Sequence, residues 1–242
     1  MSGSALSPSA LFWRVRRAHP ERLLHRARRA ALIARTRLLA EWHRASVELD
    51  LHPSIQLGRD IRIEVAPHTT NVLRVGPGGR LDDRVLVRLN GGRIELGPDC
   101  HLRAGVVLNV AGHLELVRRN ILSWGTAVHC AESVRLEPLA SLAEQVTIAD
   151  STHFFTTPDE FFYDNTRTSP VRIGSNTWLC PKATITSGVQ VGAHCIVGSC
   201  SVVIRDVPDG HLASGVPATN RPLELPWATV DTGAAADGTP RG

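Results

Sequence analysis

The chain has 242 residues, 43% of them hydrophobic but only 5% aromatic, and a formal net charge of +4. That length can bury a sizeable core in one or two units. No apolar run approaches the ~20 residues that span a bilayer, and five cysteines without a C-x-x-C pair argue against a disulfide framework or a zinc knuckle.

The charge is unevenly spread. Residues 10–45 hold ten Arg against Glu21 and Glu41, a balance of +8, which leaves about −4 for the rest. Residues 1–9 are small and polar and are expected to be disordered. Residues 10–50 read as an Arg-rich helical cap, with Pro20 breaking the pattern early. Leu24, Ala27, Ala31, Ala34, Leu38 and Trp42 follow three- and four-residue steps and predict one apolar stripe. Two roles fit it: a cap on the open end of a repeat core, or an interfacial helix on an anionic membrane. No aromatic-interleaved basic platform accompanies the charge, so nucleic acid is not an expected partner. Arg14, Arg16 and Arg17 interrupt any secretory leader, and a cytoplasmic location is expected, with peripheral contact at the inner membrane face as an option.

From Ile55 the sequence advances in sixes. Leu57, Ile63, Thr69, Val75, Leu81 and Val87 hold one register, with Ile55, Ile61, Pro67, Leu73, Gly79 and Val85 two residues earlier. Further runs pass through Leu96–Leu114 and Trp124–Ile148. The most regular run is Val171–Val203, where Ile173, Leu179, Ile185, Val191, Val197 and Val203 recur without a slip. Such a period fits neither a helix nor a single strand and marks hexapeptide repeats coiled into a parallel β-helix. Gly174, Gly192 and Gly198 follow large inward positions and are expected to turn corners. Phase slips are expected at corners, since a slip in mid-edge would expose the inward face. Cys100, Cys130 and Cys195 fall on inward positions as small buried hydrophobes.

The fold expected is therefore mainly β: a β-helix over 51–206 with an N-terminal helical segment and an extruded loop, 149–170. That loop holds four of the five Phe residues and the only Tyr, which marks it as functional. Residues 207–225, rich in Pro and Gly, read as a closing segment, and 226–242 as a disordered tail.

Ile173-Gly174…Trp178-Leu179, Gly198-Ser199-Cys200-Ser201-Val202-Val203-Ile204-Arg205-Asp206-Val207-Pro208 and Ala213-Ser214-Gly215-Val216-Pro217-Ala218 together resemble the C-terminal signature of hexapeptide-repeat acyltransferases. Among these the chain looks most like sugar O-acetyltransferases of the maltose/galactoside and surface-polysaccharide type. The resemblance implies a left-handed coil, a homotrimer, and acetyl-CoA bound between subunits as co-substrate, with no metal. The family's D-x-D-H stretch matches Asp150-Ser151-Thr152-His153, which makes His153 the candidate base. An imidazole is suited to taking a proton from a hydroxyl or amine as it attacks a thioester. Glu144 and Asp150 are candidates to orient it. For CoA the resemblance points to Trp178, Pro181, Gly198, Cys200, Arg205, Gly215 and Arg221. Cys180 and Cys200 replace small residues of the family pattern. Phe154, Phe155 and Tyr163 are candidates for a wall against a sugar or glycan acceptor. O-acetylation of a sugar is the leading reading, and N-acetylation of an amino sugar or nucleotide sugar the alternative. A trimeric zinc enzyme of the γ-carbonic anhydrase type would draw on His101, His113, His129, His153 and His194, but lacks that family's closely spaced His pair. A non-catalytic scaffold is the remaining alternative.

Overall fold

The computed structural model describes residues 20–159, 161 and 165–224. The expectations for residues 1–9, for the tail from 226 and for Tyr163 lie outside these described residues.

A helix, Pro20–Trp42, opens the described chain. Proline suits a first helical position, where its missing N–H costs nothing. The helix closes through Arg44 in the left-handed region (φ 53), with the Ala45 N–H donating back to the Ala40 carbonyl. The coil then begins at Ser46, inside the stretch expected to be helical. Ser46–Leu51, SVELDL, alternates polar and apolar residues, and that period of two selects a strand.

From there the chain winds round three sheets of seven, nine and seven strands, parallel except for the last strand of the second. The repeating unit visits the first, second and third sheet in turn, so each strand pairs with the one a full coil away. Along the second sheet the partners run Gln56, Arg80, His101, Ile121, Ser141, Trp178, Ile196 and Leu212. Successive differences make the coils 24, 21, 20, 20, 37, 18 and 16 residues long. The 37-residue coil carries the loop.

The phase slips are explained by edge length, not by corner bulges. In the wider coils the third edge is four residues long and buries an extra side chain: Val65, Leu89, Val110 and Cys130. Two added residues preserve inward alternation, so the edge lengthens without turning its buried face outward. Three expected inward positions are corrected. Pro67 is exposed and Thr69 half-buried at a corner, and Trp124 is half exposed, with Thr126, Val128 and Cys130 taking the inward edge. Elsewhere Leu, Ile and Val fill the tube, and Cys100, Cys130 and Cys195 are buried among them. Each fully buried Leu or Ile contributes about 2 kcal/mol relative to exposure.

The corners are also corrected. Gly174, Gly192 and Gly198 are not in the left-handed region. That region is occupied two residues further on, by Asn176, His194 and Cys200. The glycines matter because the coils touch there: a Cβ on Gly174 would lie 2.3 Å from the Gly192 backbone. Between the second and third sheets, Asp60, Arg84, Gly105, Gly125, Gln145, Lys182 and Cys200 stack as a ladder of left-handed residues. Their N–H groups donate from coil to coil, as Gln145 does to the Trp124 carbonyl and Lys182 to Glu144.

The helix covers the first coil, but not with the expected stripe. Leu32, Thr36 and Ala40 face inward, while Leu24, Ala27, Ala31, Ala34, Leu38 and Trp42 face outward. Polar atoms explain the rotation. The first strand of each sheet has carbonyls without a coil beyond them, and such edge groups need partners. Arg29 donates to the Leu51 carbonyl on the first edge (2.6 Å), Arg28 to Leu57 on the second (2.8 Å) and Arg35 to Ile61 at the third (2.9 Å). The Leu57 N–H donates to His25 Nδ1 at 3.0 Å. The basic residues of the helix thus cap the coil's polar edge. At the other end, His211–Gly215 adds to the second sheet and folds back on Ala218–Pro222 as a hairpin.

Candidate active site

The loop leaves the coil where the third sheet turns to the first. Ser151–His153 and Thr166–Thr168 pair antiparallel, so the loop is a β-hairpin standing off the coil. Asp150 anchors its base. This carboxylate is fully buried and accepts three backbone N–H bonds: Ala131 on Oδ1 (2.7 Å), and Glu132 and Ser133 on Oδ2 (2.8 Å each). The Asp150 carbonyl accepts from the Ser169 N–H and the Ser187 hydroxyl, both at 2.8 Å. Asp150 therefore ties the hairpin to the coils before and after it. The expectation that it orients His153 is corrected, because both its oxygens are turned onto the preceding coil. Its charge, after burial itself, helps push the neighbouring Cys130 thiol up to about 12.

His153 sits on the exposed hairpin strand. Its Nδ1 lies 3.3 Å from the Asn165 carbonyl and 3.3 Å from Thr166 Oγ1. A carbonyl accepts only, so the tautomer that makes this bond carries its proton on Nδ1 and leaves Nε2 as the basic nitrogen. The group fixing the tautomer is a backbone carbonyl from the opposite hairpin strand. Beside it, Phe154 is half-buried under the Arg167 guanidinium, 4.8 Å from the ring centroid, and Phe155 is exposed.

Glu144 lies at a different corner, between the second and third sheets. Its Oε1 accepts from the Ser123 hydroxyl at 2.9 Å. Its own backbone N–H, then Ser123 and the nearby Arg103 charge, hold its carboxyl below the usual range. Arg103 stacks 4.5 Å over Trp124 and donates to Ser123 Oγ. The third-sheet edge, Thr147–Ala149, separates Glu144 from His153, a run of ~10 Å at the rise of a strand. Within one chain Glu144 does not orient His153.

The expected cofactor residues divide between the same two corners. Arg103, Ser123, Ala143, Cys180 and Gly198 occupy one vertical column, and Trp124, Glu144 and Pro181 the next. Cys200 holds the left-handed turn beyond them, with Gly215 tied to the same coil by its N–H to Ser201 Oγ at 3.0 Å. Trp178, half exposed, and Arg221 lie on the adjoining second sheet. Arg205 does not join them. It follows the third-sheet strand Val202–Val203, at the corner that carries the His153 hairpin. Cys180 is buried, which pushes its thiol up; Cys200 is exposed.

Sequence reasoning missed Asn165 and Thr166, which position His153, and Arg103 with Ser123, which position Glu144. The second pair has a signal. Stepping back one coil length of 20 from Ala143 gives Ser123, and another 20 gives Arg103. Asn165 acts through its backbone, which no side-chain pattern reports.

The fold is a coil whose edges repeat about every six residues. Residues 170–205 match the family described as bacterial transferase hexapeptide (six repeats). The chain is 25% identical over 162 residues to the probable acetyltransferase Rv3034c of Mycobacterium tuberculosis, covering 67% of this chain and 47% of that one. It is 38% identical over 48 residues to galactoside O-acetyltransferase of Escherichia coli, covering 20% and 24% of the two chains. The matched region thus spans less than half of these relatives. Among solved structures, a variant of AntD, an N-acyltransferase from Bacillus cereus in complex with dTDP and coenzyme A, aligns at a TM-score of 0.48 with 16% identity, covering 76% of this chain and 86% of that one.

Proposed function

We propose that the protein is an acetyl-CoA-dependent O-acetyltransferase acting on a sugar hydroxyl, with His153 as general base. The observation that carries this reading is the His153 ring, held through Nδ1 by the Asn165 carbonyl on a hairpin tied down by Asp150. In this reading Nε2 takes the proton of the acceptor hydroxyl as its oxygen attacks the thioester carbonyl. The tetrahedral intermediate collapses, the C–S bond breaks, and the thiolate leaves with the proton from His153. The products are an acetyl ester and free CoA. No covalent enzyme intermediate is needed.

The two-corner layout supports a site shared between subunits. One corner carries the base and Arg205; the other carries the small-residue column with Glu144, Pro181, Gly198 and Cys200. A homotrimer would set one corner of a chain against the other corner of its neighbour, with CoA between them and Arg205 or Arg221 available to its phosphates. Phe154 and Phe155 would form one wall for the acceptor.

The test is thiol release from acetyl-CoA against a panel of sugars, amino sugars and nucleotide sugars. His153→Ala should lower acceptor-dependent turnover by about 10³-fold while leaving the oligomer unchanged by light scattering. Unchanged turnover would sink the assignment. Preference for amino over hydroxyl acceptors would replace ester formation with amide formation.

A further inference from the structure

The cap helix has a second, unused face. Its inward side is accounted for by Leu32, Thr36 and Ala40 and by the arginines that hold the coil edge. The opposite side presents Leu23, Leu24, Ala27, Ala31, Leu38 and Trp42 to solvent, with Leu38 67% and Trp42 85% exposed. On a helix of 3.6 residues per turn these form one stripe, with the exposed Glu41 on its Leu23 side. Arg26 and Arg37, both exposed, run along one border, and Arg35 along the other. Over its whole length the helix has six Arg against Glu21 and Glu41. It is not long and apolar enough to cross a membrane.

We propose that this face docks on an anionic lipid surface, with the helix lying in the plane of the interface. An apolar stripe bordered by arginines and ending in an exposed tryptophan suits the headgroup boundary. Leucine and tryptophan enter the acyl margin there, and the guanidinium groups meet lipid phosphates. Charge selects lipid over two other occupants. A second copy of this face would bring Arg26 and Arg37 against their own kind, and residues 1–19 carry Arg14, Arg16 and Arg17; both are like-charge encounters. The helix forms one end of the coil, so the surface it presents is free of the two corners discussed above. Docking there is independent of acyl transfer.

The experiment is vesicle co-sedimentation of the full chain, comparing phosphatidylcholine alone with phosphatidylcholine mixed with phosphatidylglycerol. Binding should need the anionic lipid and weaken as salt is added. Leu38→Glu with Trp42→Glu should cut it by about tenfold or more, and Arg26→Glu with Arg37→Glu by a similar factor. Circular dichroism melts should be unchanged, because the edge carbonyls are held by Arg28, Arg29 and Arg35 and not by these four residues. Failure of the full chain to bind anionic vesicles would overturn the proposal. So would binding that appears only after removal of residues 1–19, which would make that segment the occupant. A wild-type oligomer that the Leu38/Trp42 variant breaks apart in the absence of lipid would assign the face to a second copy and overturn it equally.

Discussion

The coils before the hairpin and those after it solve the same problem with different means. Before it, coils of 20 to 24 residues carry four-residue edges and bury three side chains on the third face. After it, coils of 18 and 16 residues carry two-residue strands. The wide half is held by apolar bulk and by outward charge ladders such as Glu115–Arg135–Glu137–Arg172. Close backbone approach at glycine serves both halves: an added Cβ would lie 1.9 Å from backbone at Gly97 and 2.2 Å at Gly112 before the hairpin, and 2.3 Å at Gly174 after it. Whether a corner tolerates a side chain depends on the backbone that lies beside it, not on the width of its coil.

Asp150 stands at the junction, so its loss should have the largest effect on stability. Asp150→Ala would leave three buried N–H groups without their acceptor and cost about 4 kcal/mol. A thermal melt reads that loss, and an unchanged midpoint would break the claim that the two halves are joined there. Next come two glycine substitutions. Gly174→Ala, whose Cβ would meet the Gly192 backbone at 2.3 Å, should cost about 3 kcal/mol. Gly105→Ala in the wide half has left-handed strain (φ +75) but open space, and should cost about 1 kcal/mol. Equal costs would show that the neighbouring backbone does not decide the cost.

Arg28→Met and Arg35→Met, which keep the apolar stem but free an edge carbonyl, should each cost about 1 kcal/mol in chemical denaturation. The smallest effect lies on the charge ladder. Burial pushes the Glu137 carboxyl up, but hydrogen bonds from Arg135 and Arg172 outweigh it and hold the group below the usual range. Its contribution is therefore full above the unfolded value of about 4.3 and is lost as pH falls through the lower folded value. Glu137→Gln should remove that acid-side loss, a change of under about 1 kcal/mol for so exposed a pair of arginines. Melting curves taken from neutral pH down to about 3 would show it.

The same contrast explains what could be read from residue order alone. Val171–Val203 has the period of six because its edges are as short as an edge can be. In the wide half each lengthened edge shifts the phase, so Pro67, Thr69 and Trp124 fall on apparent inward positions that are in fact corners. The cap helix was legible as a helix, but its orientation was not. Periodicity ranks side chains by hydrophobicity, whereas the helix is turned by guanidinium groups seeking carbonyls at Leu51, Leu57 and Ile61. At the candidate site, His153 was marked by its neighbours in sequence. Asp150 was marked by the same pattern and does something else, because a carboxylate one residue from the coil reaches backbone amides before it reaches the imidazole. Glu144 is near His153 in sequence and a whole edge away in space.

The arginines that hold the first coil also set the length of the molecule. A parallel edge with open carbonyls is a template, and any chain able to present a matching strand can continue it. Ser46–Leu51 is the longest strand on that rim, and without the helix it would accept another coil from a neighbouring molecule. The helix and the terminal hairpin are thus stops at the two ends of a structure that would otherwise grow. Seven turns are a count enforced by what covers the ends, and a chain stripped of Pro20–Trp42 should associate through its opened first coil while the hairpin still closes the other end.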